Sequence, residues 1–212
     1  MTGDKTSYFD VVINPIETMK REKKRADFGA GIVRLAVFGA VVGCVLGLFA
    51  AAGVALLGAI ATTFFPPAFL LAGLGVGTAL FFVIVLAFVL AAAMLVANTL
   101  KTAVLFVVAR LLGGRGRFSQ HFYFNALITT AYPVIAVIAF ALSIVLLFVP
   151  VLGPAVFLVS LACIALYGVY LHAAAVKETH GLDWGKAVLA VVLIPLVLLA
   201  FLGLTAVSAL AG

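Results

Sequence analysis

The chain is 212 residues long, 67% hydrophobic and only 9% charged, with a formal net charge of +6. Water-soluble domains carry about a quarter charged residues, so this composition excludes a soluble enzyme and a soluble nucleic-acid-binding module, and it requires lipid in place of a polar shell. The positive excess then follows from membrane topology and favours anionic headgroups as neighbours; nucleic acid is not an expected partner.

The charges are not scattered. Lys and Arg stand at Lys5, Lys20, Arg21, Lys23, Lys24, Arg25, Arg34, Lys101, Arg110, Arg115, Arg117, Lys177 and Lys186. The acids Asp4, Asp10, Glu17, Glu22, Asp27, Glu178 and Asp183 keep to three of the same neighbourhoods. Between them lie connections without charge, at 62–68, 149–154 and the C-terminal tail. Such alternation is what the positive-inside bias produces over an odd number of crossings. The predicted class is an all-α, polytopic integral membrane protein with five transmembrane helices. It is multi-pass in the cell membrane, with its N-terminus cytoplasmic and its C-terminus outside.

Residues 1–28 are predicted to form a cytoplasmic head, and 29–212 a five-helix transmembrane domain. The first ~25 residues are polar and basic rather than an apolar h-region, so no cleavable signal peptide is expected. In the head, Phe9, Val12, Ile13 and Ile16 recur at spacings of three and four. Asn14-Pro15-Ile16-Glu17 reads as a helix start, with Asn14 as N-cap, Pro15 at the first helical position and Glu17 three residues after the cap. The helix it opens carries Lys20, Arg21, Lys23, Lys24 and Arg25. Its thin apolar face, Ile16 and Met19, fits a solvated charged helix or a helix lying on the membrane, held by Tyr8, Phe9 and the basic run. The direct tether to a crossing favours the second.

The first crossing is predicted over 32–61, longer than the roughly 20 residues that span hydrocarbon, with Arg34 snorkelling to the interface. Gly39, Gly43 and Gly47 stand four apart, and Ala51, Ala55 and Ala59 continue the row. That stripe of small residues admits another helix backbone at close range, either within the monomer or between copies in a homo-oligomer. A turn follows at Phe64-Phe-Pro-Pro67, where prolines stop a helix. The second crossing is predicted over 77–97, after a bend at 73–77, with a helical extension to 112 that leaves Lys101 near the inner headgroups. Gly113-Gly-Arg-Gly-Arg117 reads as a flexible basic loop, and 118–124 as an aromatic-rich segment at the inner interface. The third crossing, 125–148, contains Pro133 as a kink. After a neutral turn at 149–154 the fourth crossing runs 155–176, with Gly181 as a helix C-cap. Asp183 caps the fifth, 184–210, which has Trp184 at the interface and Pro195 mid-helix.

No Asp, Glu, Lys or Arg lies in the middle of any proposed crossing, which disfavours an ion-driven carrier. The deep polar residues Thr78, Ser143, Ser160, Tyr167, Tyr170 and Ser208 read as interhelical hydrogen-bonding partners. His121, His172 and His180 fall near the charged ends of helices, without the spacing of a metal set and without an H-E-x-x-H or Gly-flanked Ser motif. Glu178 and His180 read as structural capping at a helix end. Cys44 and Cys163 lie in apolar runs and read as packing residues. No catalytic residue, metal or cofactor is therefore expected. The loop Gly113–Arg117 has backbone amides and guanidiniums that suit phosphate, but anchoring by positive charge, with glycines for flexibility, is the favoured reading.

In order, these features resemble the Yip1 domain family of integral membrane proteins. They are a head with a hydrophobic stretch, Asn14-Pro15 and a charged helix; a long second crossing ending in Leu111-Leu-Gly-Gly-Arg-Gly-Arg-Phe118; Ala131-Tyr-Pro133 leading into the third crossing; the turn Val149-Pro-Val-Leu-Gly-Pro154; and His180-Gly-Leu-Asp-Trp-Gly-Lys-Ala187 before a crossing interrupted by Pro195. The likeness covers roughly residues 7–205 and implies a five-crossing bundle with a cytoplasmic N-terminus. In eukaryotic members it also implies partnership with Rab-type GTPases and with other family members. The head here is far shorter and lacks their Asp-Leu-Tyr-Gly-Pro motif, so the chain is more similar to compact prokaryotic members, and a GTPase partner is not carried over.

The expected role is a non-enzymatic scaffold or adaptor, acting in membrane organisation or trafficking-like processes through lipid and protein partners. Lys20, Arg21, Lys23, Lys24, Arg25, Arg115 and Arg117 are expected to touch anionic headgroups or a membrane-protein partner, and Gly39, Gly43 and Gly47 to pack helices. The alternative is a facilitator or transporter subunit for a neutral or lipid-like solute, with a cavity lined by Thr78, Asn98, Ser143, Tyr167 and Tyr170.

Overall fold

The computed structural model describes residues 10–64, 75–146, 148–149 and 152–211, and every regular element among them is an α-helix. In chain order these are α1 (Asp10–Ile13), α2 (Pro15–Glu22), α3 (Phe28–Phe64), α4 (Gly75–Leu111), α5 (Phe118–Leu146), α6 (Gly153–His180) and α7 (Trp184–Ala211). The helices α3 to α6 are long and apolar enough to cross a membrane, with mean hydropathy between 2.1 and 3.1 over their most apolar stretches. Large apolar side chains lie open along them: Phe49 is 72% exposed and Phe88 77%. Water would penalise that surface and acyl chains match it. α7 continues the apolar series, with Pro195 inside it. The turns expected at 64–67 and 149–154, the bend at 73–77, and Tyr8 and Phe9 fall wholly or partly outside the described residues.

Local chemistry sets the helix ends. Asp27 caps α3, its Oδ2 accepting from the amides of Gly29 at 2.9 Å and Ala30 at 3.3 Å. Gly181 ends α6 in the left-handed region at φ 68°, its amide donating to the Lys177 carbonyl. Asp183 opens α7, accepting from the Lys186 amide at 2.9 Å. Pro15 stands in the first turn of α2 as expected, but Asn14 makes no side-chain cap bond. Its amide donates to the Asp10 carbonyl and its carbonyl accepts from Thr18, so α1 runs almost directly into α2. α2 also stops at Glu22, and Lys23, Lys24 and Arg25 form the turn that follows.

The chain divides into two compact units. One unit comprises Ile32–Ala97, the greater part of α3 with the first part of α4. Its seam is the glycine row. A Cβ at Gly39, Gly43 or Gly47 would fall 2.6, 2.4 or 2.6 Å from the Cα of Ala91, Ala87 or Val83 respectively. One numbering rises by four while the other falls by four, the register of two antiparallel helices in backbone contact. The row thus faces α4 of the same chain.

The other unit joins the head, up to Gly31, to everything from Asn98 onward. Val11, Val12 and Met19 of α1 and α2 are buried with Tyr123, Phe124, Leu127 and Ile128 of α5 and Leu171, Ala174 and Ala175 of α6. A second cluster sets Ala173 and Val176 of α6 against Ala109 of α4, Leu182, and Ala187 and Ala190 of α7. Among the described residues of α1 and α2, Val11, Val12 and Met19 therefore serve this core, while Ile13 stays largely exposed. The loop 113–117 is held against α6 rather than left flexible. A Cβ at Gly116 would sit 2.6 Å from the Thr179 carbonyl oxygen, and one at Gly114 2.8 Å from the Cβ of His180.

Two substitutions separate these contacts from mere glycine content. Gly43→Ala drives a methyl into the α4 backbone and is expected to cost about 1–3 kcal/mol, whereas Gly53→Ala, with nothing within 4 Å, leaves stability unchanged or slightly raised. Thermal unfolding of the purified protein in detergent reads both; equal effects would mean the seam does not hold. Gly116→Ala is expected to lower the unfolding temperature in the same assay by displacing the loop from α6, and an unchanged midpoint would mean the loop is not held there.

Candidate functional site: a basic pocket at the charged end of the helices

The last carbonyls of a helix have no partner within it and carry the negative end of its dipole. At the end of α6, Lys177 O is capped by Gly181, Glu178 O accepts from the Lys23 ammonium at 2.6 Å, and His180 O accepts from the Arg115 amide at 3.1 Å. Two basic segments, far apart in the sequence, are thereby tied to one helix terminus. Arg110 secures the second, donating to the Gly116 carbonyl at 3.0 Å while its guanidinium lies 5.1 Å from the centre of the Phe106 ring. Gln120, in the first turn of α5, secures the first by donating to the Lys23 carbonyl at 3.3 Å.

Between these anchors lies a cavity of about 450 Å³, lined by Lys20, Lys23, Lys24, Ala26, Arg117, Ser119 and Gln120. Among the described residues, four cationic side chains face it and no carboxylate does. Four neighbouring acids are engaged elsewhere, while Glu17 is exposed on α2 outside the lining. Glu22 is buried and accepts from the Tyr123 hydroxyl at 3.0 Å, Asp27 caps α3, Asp10 pairs with Arg21 at 2.9 Å, and Glu178 lies 3.7 Å from Lys177. Lys20 and Lys24, four apart in sequence, and Arg117 from the far segment keep their charge for the cavity. Like charges held this close repel, so the arrangement favours an anion.

The structure thus brings Lys20, Lys23, Lys24 and Arg117 together. Arg21 is turned to Asp10, Arg115 contributes its backbone amide to α6, and Arg25 is exposed outside the lining. Ser119 and Gln120 escaped the sequence reading because the aromatic residues around them suggested an interface segment; that stretch is instead the first turn of α5.

Behind the pocket is a polar layer in otherwise apolar helices. Asn125 donates to Thr102 at 3.0 Å, Thr129 to Asn98 at 3.1 Å, and Lys101 to Thr129 at 3.4 Å. Lys101 also meets His172 Nε2 at 2.8 Å, while Nδ1 of that ring faces the Gly168 carbonyl at 2.7 Å. The carbonyl requires a proton on Nδ1, so Nε2 is the acceptor for the ammonium. Lys101 is therefore held within the unit rather than turned to headgroups. His180 is paired with His121, Nε2 to Nδ1 at 3.1 Å. The signal for this layer was present in the spacing of four that relates Asn98 to Thr102 and Asn125 to Thr129.

Among the described residues no group of three metal-ligating side chains assembles. Of the residues of the expected solute cavity, Tyr167 and Tyr170 are neighbours with ring centres 5.6 Å apart, and the other described ones have separate partners. Asn98 belongs to the polar layer, Ser143 donates to Ala139 of its own helix, Tyr167 donates to the Val12 carbonyl, and Tyr170 stacks on Trp184 at 5.6 Å. The side chain of Thr78 lies outside the described residues.

Neither the curated proteins nor the solved structures include a match to this chain. The family model of the Yip1 domain matches residues 9–207, nearly the whole chain. A multi-pass membrane protein by its helices, the chain belongs to the Yip1 domain family.

Proposed function

We propose that this protein is a non-enzymatic scaffold of the cell membrane, with five crossings, a cytoplasmic N-terminus and an outside C-terminus, whose basic end grips anionic headgroups on the cytoplasmic leaflet. Through that grip and through protein partners it organises the membrane around it. The observation that carries this reading is the convergence of Lys20, Lys23, Lys24 and Arg117 on one cavity, with Glu22 and Asp10 bound elsewhere. A basic surface of this kind is attracted to an anionic leaflet by roughly 1 kcal/mol for each Lys or Arg near it. The topology rests on the same charges: all connections that carry Lys or Arg belong to one side.

Two measurements test it. Full-length protein in mild detergent is expected to retain anionic lipid over phosphatidylcholine in native mass spectrometry. Binding to anionic vesicles should weaken as salt shortens the screening length from ~10 Å at 0.1 M to ~3 Å at 1 M. Equal retention of both lipids, indifferent to salt, removes the lipid role. For topology, Arg115→Cys in a background with Cys44→Ala and Cys163→Ala should resist a membrane-impermeant maleimide added to intact cells. Labelling from outside reverses the orientation.

A further inference from the structure

The pocket has more definition than a charged surface requires. A smeared positive face attracts a bilayer through any of its cations, and Arg21 and Arg25 would serve as well as Lys24. Here an arginine from one segment and lysines from another are set around a single concavity by bonds to a third element, the end of α6. At about 450 Å³ the cavity is of small-molecule size, larger than a lone ion needs and large enough for an anionic group with the polar body that carries it.

We infer that this pocket binds a phosphate monoester, the terminal group of phosphatidic acid and of phosphorylated headgroups and also of soluble phosphates. The inference rests on the reading of the basic end given above and deepens it by naming the ligand. A monoester carries about −1.5 to −2 charges near neutral pH and three free oxygens, whereas the diester of an ordinary anionic lipid carries a single charge and two. The donors match the former. Arg117 offers a planar fork, Lys20 and Lys24 offer ammonium groups, and Lys23 keeps two N–H groups after its bond to Glu178. Ser119 adds a hydroxyl in the first turn of α5, where free amides and the positive end of a 29-residue helix reinforce the field. No carboxylate among the described residues lines the pocket to oppose the second negative charge.

The test uses the full-length protein in nanodiscs and compares phosphatidic acid with phosphatidylglycerol, the second raised in proportion so that surface charge is equal. One double variant, Lys24→Gln with Arg117→Gln, removes two charges from the pocket; another, Arg21→Gln with Arg25→Gln, removes two beside it. The wild type is expected to prefer phosphatidic acid by about tenfold, the pocket variant to lose that preference, and the second variant to keep it. Unchanged thermal unfolding confirms that each variant is folded. Inorganic phosphate at millimolar concentration is the soluble arm: displacement of the lipid by it assigns the site to soluble phosphates as well, and no displacement assigns it to the headgroup. No preference for the monoester, or equal losses in the two variants, overturns the inference while leaving a general anionic contact standing. Absence of any anionic binding in the wild type overturns both readings.

Discussion

The C-terminal turns of α6 are the post on which this fold stands. From Leu171 to Val176 the helix is covered, by α1, α2 and α5 on one side and by α4 and α7 on the other. Ala173, Ala174 and Ala175 make this possible, because a run of alanines lets neighbours approach from several directions without loss of helix propensity. Past the last turn, the unpaired carbonyls impose a second requirement, since backbone acceptors shut away from water must find donors. An ammonium, a glycine amide and a loop amide meet it. The need to finish one helix thus decides where two distant basic segments lie, and the pocket is the result.

Stability is unevenly distributed as a consequence. Fully buried side chains concentrate at the charged end of the long helices, where apolar clusters and the polar layer of Asn98, Lys101, Thr102, Asn125, Thr129 and His172 occur together. In an apolar environment a hydrogen bond between side chains specifies a pairing that apolar contacts leave open, so this layer sets which helices are neighbours and in what register. Farther along, the same helices present Phe, Leu and Val outward, and lipid supplies the missing neighbours. The unit of α3 and α4 uses a different device, three glycines pressed on a backbone, and has no need of polar pairing at that seam.

Much of the architecture was legible in the residues. Length and hydropathy located the long helices, the four-residue glycine spacing marked a seam, and Gly181 and Asp183 announced the end of one helix and the start of the next. These features depend on local chemistry or on a period. What escaped depends on contacts distant in sequence. Gly114 and Gly116 looked like flexibility because nothing nearby in the chain shows that α6 lies beneath them. Lys101 looked like an interfacial anchor because its partner His172 is on another helix. The apolar residues of the head looked free for the membrane because Tyr123 and Leu171 had no visible reason to be close. Of the pocket, the cations were conspicuous as charges, and their grouping was not.

The histidine pair adds a property of a different kind. With both rings neutral, only one of His121 and His180 can supply the hydrogen shared between them, and the outer nitrogens, Nε2 of His121 and Nδ1 of His180, have no partner. One of those outer atoms is therefore an idle donor and the other an idle lone pair. To reverse the bond, a proton must arrive at the bare outer nitrogen as another departs from the far side, shifting both tautomers in concert. Both atoms are shielded from solvent, so that exchange has no direct route through water while this end of the helices stays closed.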